Sequence, residues 1–484
     1  MRSRLLRPRA IRLFLMAATV LSLSLGAIPQ EVAAHSLLPG YSLFEINGVK
    51  VYFRKPPSEE RAQLAQIGAI MMAGIGNQEP DEAHCAHMAE HMVCMYPGPS
   101  GESVWSISAK DYQLGSPLPL NGHVSLDTTE WAVSAAHSDT LRVLTALLGS
   151  MFRSTLESDE AFKTEIKRAR REVDAMTGSD ITALANKMKA SAFHGTRYYE
   201  TLFETPLPEV TAEKIRGFIE REYTPARLTL IIAADVDESE LLNHIARCLV
   251  GIDPGRGPAD HSDVYLDPPS QATLEVGAKK QYAGLAVGIS RILPEDRPTV
   301  LALLNILTRR LYAVPQTGSI RFLRDLHTIF VAQSALVATY GYTDARGSDM
   351  SSEVQRYQEA LSSILASLAS DGPSMEELSY YVIPGTPRVS VDLSSIPYAG
   401  ASQTVSTLLY NGLMETSIWD RAEAYPEETR KILKAAAAKY LPNAKITVVY
   451  QKQPSNSGTV LGLSIAALTA CIALGVFFWR RATV

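Results

Sequence analysis

The chain has 484 residues, 46% of them hydrophobic, which suits two or three globular domains that each bury a core. A formal net charge of −5 provides no basic surplus for a nucleic-acid surface, and four cysteines (Cys85, Cys94, Cys248 and Cys471) are too few for a disulfide scaffold. Cys85 and Cys94 read as small buried thiols, because on one shared helix they stand too far apart to bridge.

The N-terminus reads as a secretory signal peptide over residues 1–34. Arg2, Arg4, Arg7, Arg9 and Arg12 form a basic start, Leu13–Ile28 an apolar run, and Val32-Ala33-Ala34 a small-residue cleavage site. Tyr41–Phe53 is expected to form two short strands around Asn47-Gly48, a hairpin turn signal. Leu64–Ala73 reads as a buried strand ending at Gly74-Ile75-Gly76. A helix over Asp81–Met95 follows, stopped by Pro97-Gly98-Pro99. Asn121–Ala135 alternates and is expected to be one strand with Ser125, Asp127 and Thr129 on one face. Asp139–Phe152 and Asp159–Met176 are helices, and Leu228–Ala233 is a buried strand.

Tyr223-Thr224-Pro225 and Tyr440-Leu441-Pro442 each follow a helical stretch and open an apolar strand, which predicts that the second half repeats the first. A stretch rich in Pro, Gly and Asp marks the junction. The expected layout is a domain at 35–252, a linker at 253–269, a homologous domain at 270–452 and a short linker at 453–458. Residues 459–479 are apolar and long enough to span roughly 30 Å of hydrocarbon, and Arg480 and Arg481 follow as a stop-transfer charge on a tail at 480–484. The expectation is an exported single-pass membrane protein with its body outside the cytoplasm, suiting the periplasmic face of a bacterial inner membrane.

The chemistry gathers at His87-Met88-Ala89-Glu90-His91. Two histidines four residues apart leave one helix face about a turn apart, so both imidazoles can reach one metal ion. His-x-x-Glu-His is the inverzincin order, with Glu90 beside the metal as a general base. A catalytic zinc needs a third protein ligand and an open position. Glu165 and Glu172 lie seven residues apart on the Asp159–Met176 helix and share a face. One can bind metal while the other accepts a hydrogen bond from a ligating imidazole, and spacing alone leaves open which does which. Asp159 and Glu160 compete less well, since both sit in a first turn where acids suit the helix dipole. The remaining histidines of the body, His84, His123, His137, His194, His244, His261 and His327, read as surface or packing residues.

These residues resemble the pitrilysin and insulinase type of zinc metallopeptidases, especially the two-domain branch that includes mitochondrial processing peptidase. The resemblance covers roughly Leu43–Tyr450 and is densest between Ala73 and Glu172. It rests on Ala73-Gly74, Asn77-Gln78-Glu79, the motif from Ala86 to Met92, the strand from Asn121 to Trp131, the pair Glu165 and Glu172, Phe193-His194-Gly195 and Tyr223-Thr224-Pro225. It implies an α+β fold of two homologous α/β-roll domains, with mixed, largely antiparallel sheets and helices packed on them. It implies one zinc per chain on His87, His91 and Glu172, with Glu165 supporting the site from behind and Glu90 catalytic. Asn121 and Arg324 are the expected substrate-binding residues.

Two departures stand out. The stretch between His91 and Glu172 is slightly long, and the tyrosine that accompanies the second-half arginine in the family falls here at Phe330-Val331. The resulting expectation is a membrane-anchored zinc endopeptidase acting on short or unfolded peptides, as a homo- or heterodimer with a related two-domain subunit. The alternatives are an enzyme active only as the zinc-bearing half of a heterodimer, a non-catalytic scaffold of the same fold, and a metal-binding sensor or chaperone.

Overall fold

The structure, a computed structural model, describes residues 30–31, 41–58, 64–111, 120–177, 184, 187–188, 190–193, 198, 210–258, 271–275, 281–314, 321–322, 327–331, 334–343, 351–381, 422 and 425–452. The expected signal peptide (apart from Gln30 and Glu31), the 459–479 span, Cys471 and Arg324 lie outside these residues. Among the described residues no helix is long and apolar enough to cross a membrane.

The first half contributes β1 (Gln30–Glu31), β2 (Ser42–Ile46), β3 (Val49–Arg54), β4 (Ala65–Met71), β5 (Leu120–Val124), β6 (Thr129–Ala135) and β7 (Leu228–Ala233). Its helices are α1 (Cys85–Met95), α2 (Val104–Ser108), α3 (Thr140–Phe152), α4 (Glu160–Thr177), α5 (Ala212–Glu222) and α6 (Glu238–Cys248). The strands form one sheet in the order β1-β2-β3-β7-β4-β6-β5. The β2–β3 turn takes positive φ at both Asn47 (51°) and Gly48 (85°), the conformation that Asn-Gly supplies in a two-residue hairpin.

Two expectations need correction. Asn121–Ala135 is a hairpin, not one strand, because Ser125 and Thr128 close a turn on each other. Ser125 N donates to Thr128 O (2.8 Å), and Thr128 N donates to Ser125 Oγ (3.0 Å). The alternation lapses into the polar run Asp127-Thr128-Thr129-Glu130, but no Gly or Pro stands between Ser125 and Thr128 to signal the turn. The motif helix starts at Cys85, later than Asp81, because His84 adopts the left-handed region at φ 68°.

The core lies between this sheet and its helices. Ile67, Ala69, Met71, Trp131 and Val133 of the sheet meet Met88, Ala89 and Met92 of α1, Leu144 and Leu147 of α3, and Ile215 and Phe218 of α5. Each large side chain so buried contributes about 1.5–3 kcal/mol. The sheet end of β4 also depends on a close backbone approach. A Cβ on Gly74 would stand 2.5 Å from Ser125 O and 2.7 Å from Thr128 N, both main-chain atoms that cannot swing aside. Gly74→Ala is therefore expected to destabilise the chain by about 1–3 kcal/mol, read as a lower urea midpoint.

The second half forms β8 (Gln271–Glu275), β9 (Gln281–Ile289), β10 (Arg321–Phe322), β11 (His327–Val331), β12 (Ser334–Thr343) and β13 (Lys445–Lys452), with α7 (Arg297–Ala313), α8 (Ser351–Asp371), α9 (Met375–Tyr381) and α10 (Pro426–Tyr440). The order is β10-β12-β9-β13-β8, with β11 also on β12. The topology repeats that of the first half. β7 pairs parallel with β3 and antiparallel with β4, and β13 pairs parallel with β8 and antiparallel with β9. The two Tyr-x-Pro segments enter these last strands through equivalent 3-10 turns, Pro225–Arg227 and Leu441–Asn443. Helix α7 follows β9 as α1 follows β4, but it carries no His, Cys, Asp or Glu. The architecture is therefore mixed α/β, with two sheets of one topology.

Candidate metal centre

Helix α1 presents His87 and His91 one turn apart, their rings edge-on with centroids 4.9 Å apart. Its other face is buried through Met88, Ala89 and Met92, which sets the direction in which the imidazoles point. Helix α4 packs against α1 and buries Phe162, Ile166 and Ala169, so Glu165 and Glu172 are carried to the histidines on one stripe.

The four side chains then divide into two roles. His91 Nδ1 donates to Glu165 Oε1 at 2.9 Å, in a buried contact. That bond holds the proton on Nδ1 and leaves the Nε2 lone pair facing outward. His91 Nε2 stands 3.3 Å from Glu172 Oε2, and His87 Nε2 stands 4.0 Å from Glu172 Oε1. Donor atoms on a tetrahedral zinc at about 2.0–2.2 Å are separated by roughly 3.3–3.5 Å, so these three groups need only a small closure to fit one ion.

Glu90 is the rival third donor. His87, Glu90 and His91 each offer an atom within 4.8 Å of the others, and Glu90 Oε2 lies 3.8 Å from His91 Nε2. Glu172 is the better ligand on two grounds: it reaches both Nε2 atoms, and it comes nearer to His91. Glu90 has a different setting. Burial, opposed by His91 and reinforced by Glu172 and Glu165, pushes its carboxyl up to about 7. Its carboxylate lies over Gly122 of β5, where a Cβ would collide with Oε1. Its carbonyl accepts from Trp131 Nε1 at 3.1 Å.

The imidazoles also differ. Burial, with the neighbouring His91, His84 and His123, lowers His87 to about 3, so it is a neutral donor. For His91 burial pulls downward, but the Glu165 bond and the charges of Glu90, Glu165 and Glu172 outweigh it, and the net shift is upward. A neutral imidazole, a carboxylate-backed imidazole and a free carboxylate make a donor set that suits zinc.

The loop ahead of α1 is held by a network that sequence reading missed. Gln78 Oε1 accepts from Ala86 N (2.8 Å), and Asn77 Nδ2 donates to Glu222 Oε2 (2.9 Å). Arg221 clamps Glu82 with both terminal nitrogens (2.8 and 2.6 Å), and Arg227 also pairs with Glu222. The run Asn77-Gln78-Glu79 was visible, but partners some 140 residues away carry no local signal. Asn121 sits half-buried on β5, the edge strand, opposite Ala132. His137 and His244 are structural: His137 Nδ1 accepts from Asp235 N, and His244 bonds Thr145. Cys85 and Cys94 are buried free thiols.

Comparison with known proteins agrees with this geometry at the level of fold. Residues 209–383 match the family model of the peptidase M16 inactive domain. A protease from Helicobacter pylori superposes with a TM-score of 0.63 at 15% identity, covering 86% of this chain and 100% of that one. The first half of the periplasmic protease PqqL from Escherichia coli gives 0.60 at 14% identity, covering 87% and 93%. In sequence, a probable mitochondrial-processing peptidase subunit beta of Arabidopsis thaliana is 21% identical over 254 residues, which is 52% of this chain and 44% of that subunit. The chain thus spans less than half the length of that relative. The fold and the two-sheet repeat are those of these M16-type protease structures.

Proposed function

We propose that the chain is a membrane-anchored zinc metalloendopeptidase that hydrolyses short or unfolded peptides. The observation that carries this reading is the convergence of His87 Nε2, His91 Nε2 and Glu172 on one point, with Glu165 behind His91. His87, His91 and Glu172 would hold one zinc, which when bound polarises a scissile carbonyl and acidifies water. Glu90 Oε2 takes the proton from the attacking water and returns it to the leaving amine. Strand β5, an edge with Asn121 on it, receives the peptide by strand addition. Arg324 would contact the peptide from the second half. The segment 459–479 anchors the chain after export, and a related two-domain subunit pairs with it.

A second reading is that the chain works only as the zinc-bearing half of a heterodimer. The donor-free helix α7 and the Arabidopsis relative, itself described as a subunit, favour it. The test is to strip metal from the purified 484-residue chain with a chelator and add zinc back while following cleavage of a mixed peptide library. Cleavage lost and regained with zinc is expected. Unchanged cleavage in the stripped protein would refute the reading, and zinc binding without cleavage would leave the heterodimer, the scaffold, and the metal-binding sensor or chaperone.

The support role of Glu165 gives a separate expectation. Glu165→Ala removes the acceptor that orients His91, and zinc affinity should fall about 10–100-fold in a chelator competition. Equal affinity would show that His91 needs no such partner.

A further inference from the structure

We infer that Gln78 positions His87 by capping helix α1 from outside the helix, an inference that rests on the metal-centre reading above. The two histidines are held in different ways. The His91 ring is fixed by Glu165, which accepts from Nδ1 at 2.9 Å. The His87 ring makes no hydrogen bond among the described residues, and its polar neighbours are the His91 ring and Glu172, 4.0 Å away. Its place therefore depends on the backbone of the first turn of α1.

That turn lacks an ordinary cap. An N-cap residue takes extended backbone and lends a side-chain oxygen to the amides that follow. His84, which holds this position, is left-handed (φ 68°, ψ 2°) and makes no side-chain cap. Two first-turn donors are satisfied by the preceding loop instead. Cys85 N donates to the Glu82 carbonyl at 2.8 Å, and Ala86 N donates to Gln78 Oε1 at 2.8 Å. Ala86 directly precedes His87, so the Gln78 bond holds the backbone at the point where it delivers the ligand. Gln78 is buried, and an amide left unpaired there would have no easy replacement from solvent.

The loop that carries Gln78 is tied in turn to α5. Asn77 Nδ2 donates to Glu222 Oε2 (2.9 Å), while Asn77 Oδ1 accepts from Gly74 N (3.1 Å). Arg221 spans two carboxylates, donating to Glu82 through both terminal nitrogens and to Glu222 through Nε (2.9 Å). Asn77, Gln78, Glu82 and Glu222 are all buried. Buried carboxylates so paired favour one geometry, because a shift would leave a charge desolvated without its partner. Helix α5 is itself buried through Ile215 and Phe218. The core thus sets α5, α5 sets the loop, and Gln78 passes that placement to the first turn of α1 and to His87.

The experiment compares the 484-residue chain with Gln78→Met, similar in length but without the acceptor, and with Gln78→Glu. The glutamate keeps an acceptor, and its charge suits a helix N-terminus. Hydrogen exchange of the metal-free proteins, zinc affinity by chelator competition, and kcat and KM for peptide cleavage are measured side by side. In Gln78→Met the amides of Ala86 and Met88 are expected to exchange about 10-fold faster, with Cys94 and Met95 at the far end of α1 unchanged. Zinc affinity should fall about 10-fold, and kcat should drop without a change in KM. Gln78→Glu at pH 8 should restore wild-type values. Wild-type exchange in Gln78→Met would overturn the inference whatever its urea midpoint, leaving Gln78 a packing residue. Faster exchange with unchanged zinc affinity, or no rescue by Gln78→Glu, would also overturn it. If the wild-type chain binds no zinc while Gln78→Met alone frees the first turn, the inference stands and the metal-centre reading falls.

Discussion

Glu90→Gln is expected to lower peptide cleavage by about 10²–10⁴-fold while leaving zinc content unchanged, because the amide keeps the shape but cannot accept the water proton. The carboxylate is well suited to that task. Burial lifts it to about 7, and Oε2 stands 3.8 Å from His91 Nε2, beside the donors and not behind them. Parallel measurements of kcat and of bound zinc check the expectation. A mutant retaining full kcat would transfer the base to another group. A mutant losing both zinc and activity would make Glu90 a ligand and displace Glu172 from that role.

The second large effect is on stability. Trp131→Ala is expected to destabilise the first half by about 3–5 kcal/mol, read in urea unfolding followed by circular dichroism. Trp131 is fully buried at the centre of β6, packs edge-on against Tyr223 at 5.9 Å, and donates to the carbonyl of Glu90. Truncation leaves a cavity under α1 and removes the side-chain hydrogen bond to the Glu90 carbonyl. Trp131→Phe, which retains most of the volume, should cost roughly 0.5–1.5 kcal/mol for the lost hydrogen bond, plus a smaller packing loss. If the alanine variant unfolds at the wild-type midpoint, Trp131 does not anchor the helix to the sheet.

Several features of the fold were open to reading because each is decided within a few residues. Asn47-Gly48 makes its turn through two positive φ angles that these residue types tolerate. The repeat of Tyr223-Thr224-Pro225 at Tyr440-Leu441-Pro442 survives in the structure as the same 3-10 turn before the same central strand. The hairpin inside Asn121–Ala135 was hidden because Ser125-Leu126-Asp127-Thr128 contains no Gly or Pro, and hydrogen bonds between Ser125 and Thr128 close the turn instead. The late start of α1 was hidden for a related reason, since nothing in His84 announces a left-handed backbone.

The candidate site divides along the same line. The sequence alone determined that His87, Glu90 and His91 share one helix face, because a rise of about 1.5 Å and about 3.6 residues per turn are properties of any helix. It also put Glu165 and Glu172 on one stripe of a second helix. Only the tertiary structure decided that Glu165 meets Nδ1 of His91 while Glu172 faces Nε2 of both histidines. It alone placed Gly122 under Glu90 and Arg221 on Glu82. Those contacts depend on how α1, α4, α5 and β5 are set by their separate burial on one sheet. That docking is a sum of many weak apolar contacts between residues far apart in the chain, and no local pattern encodes it.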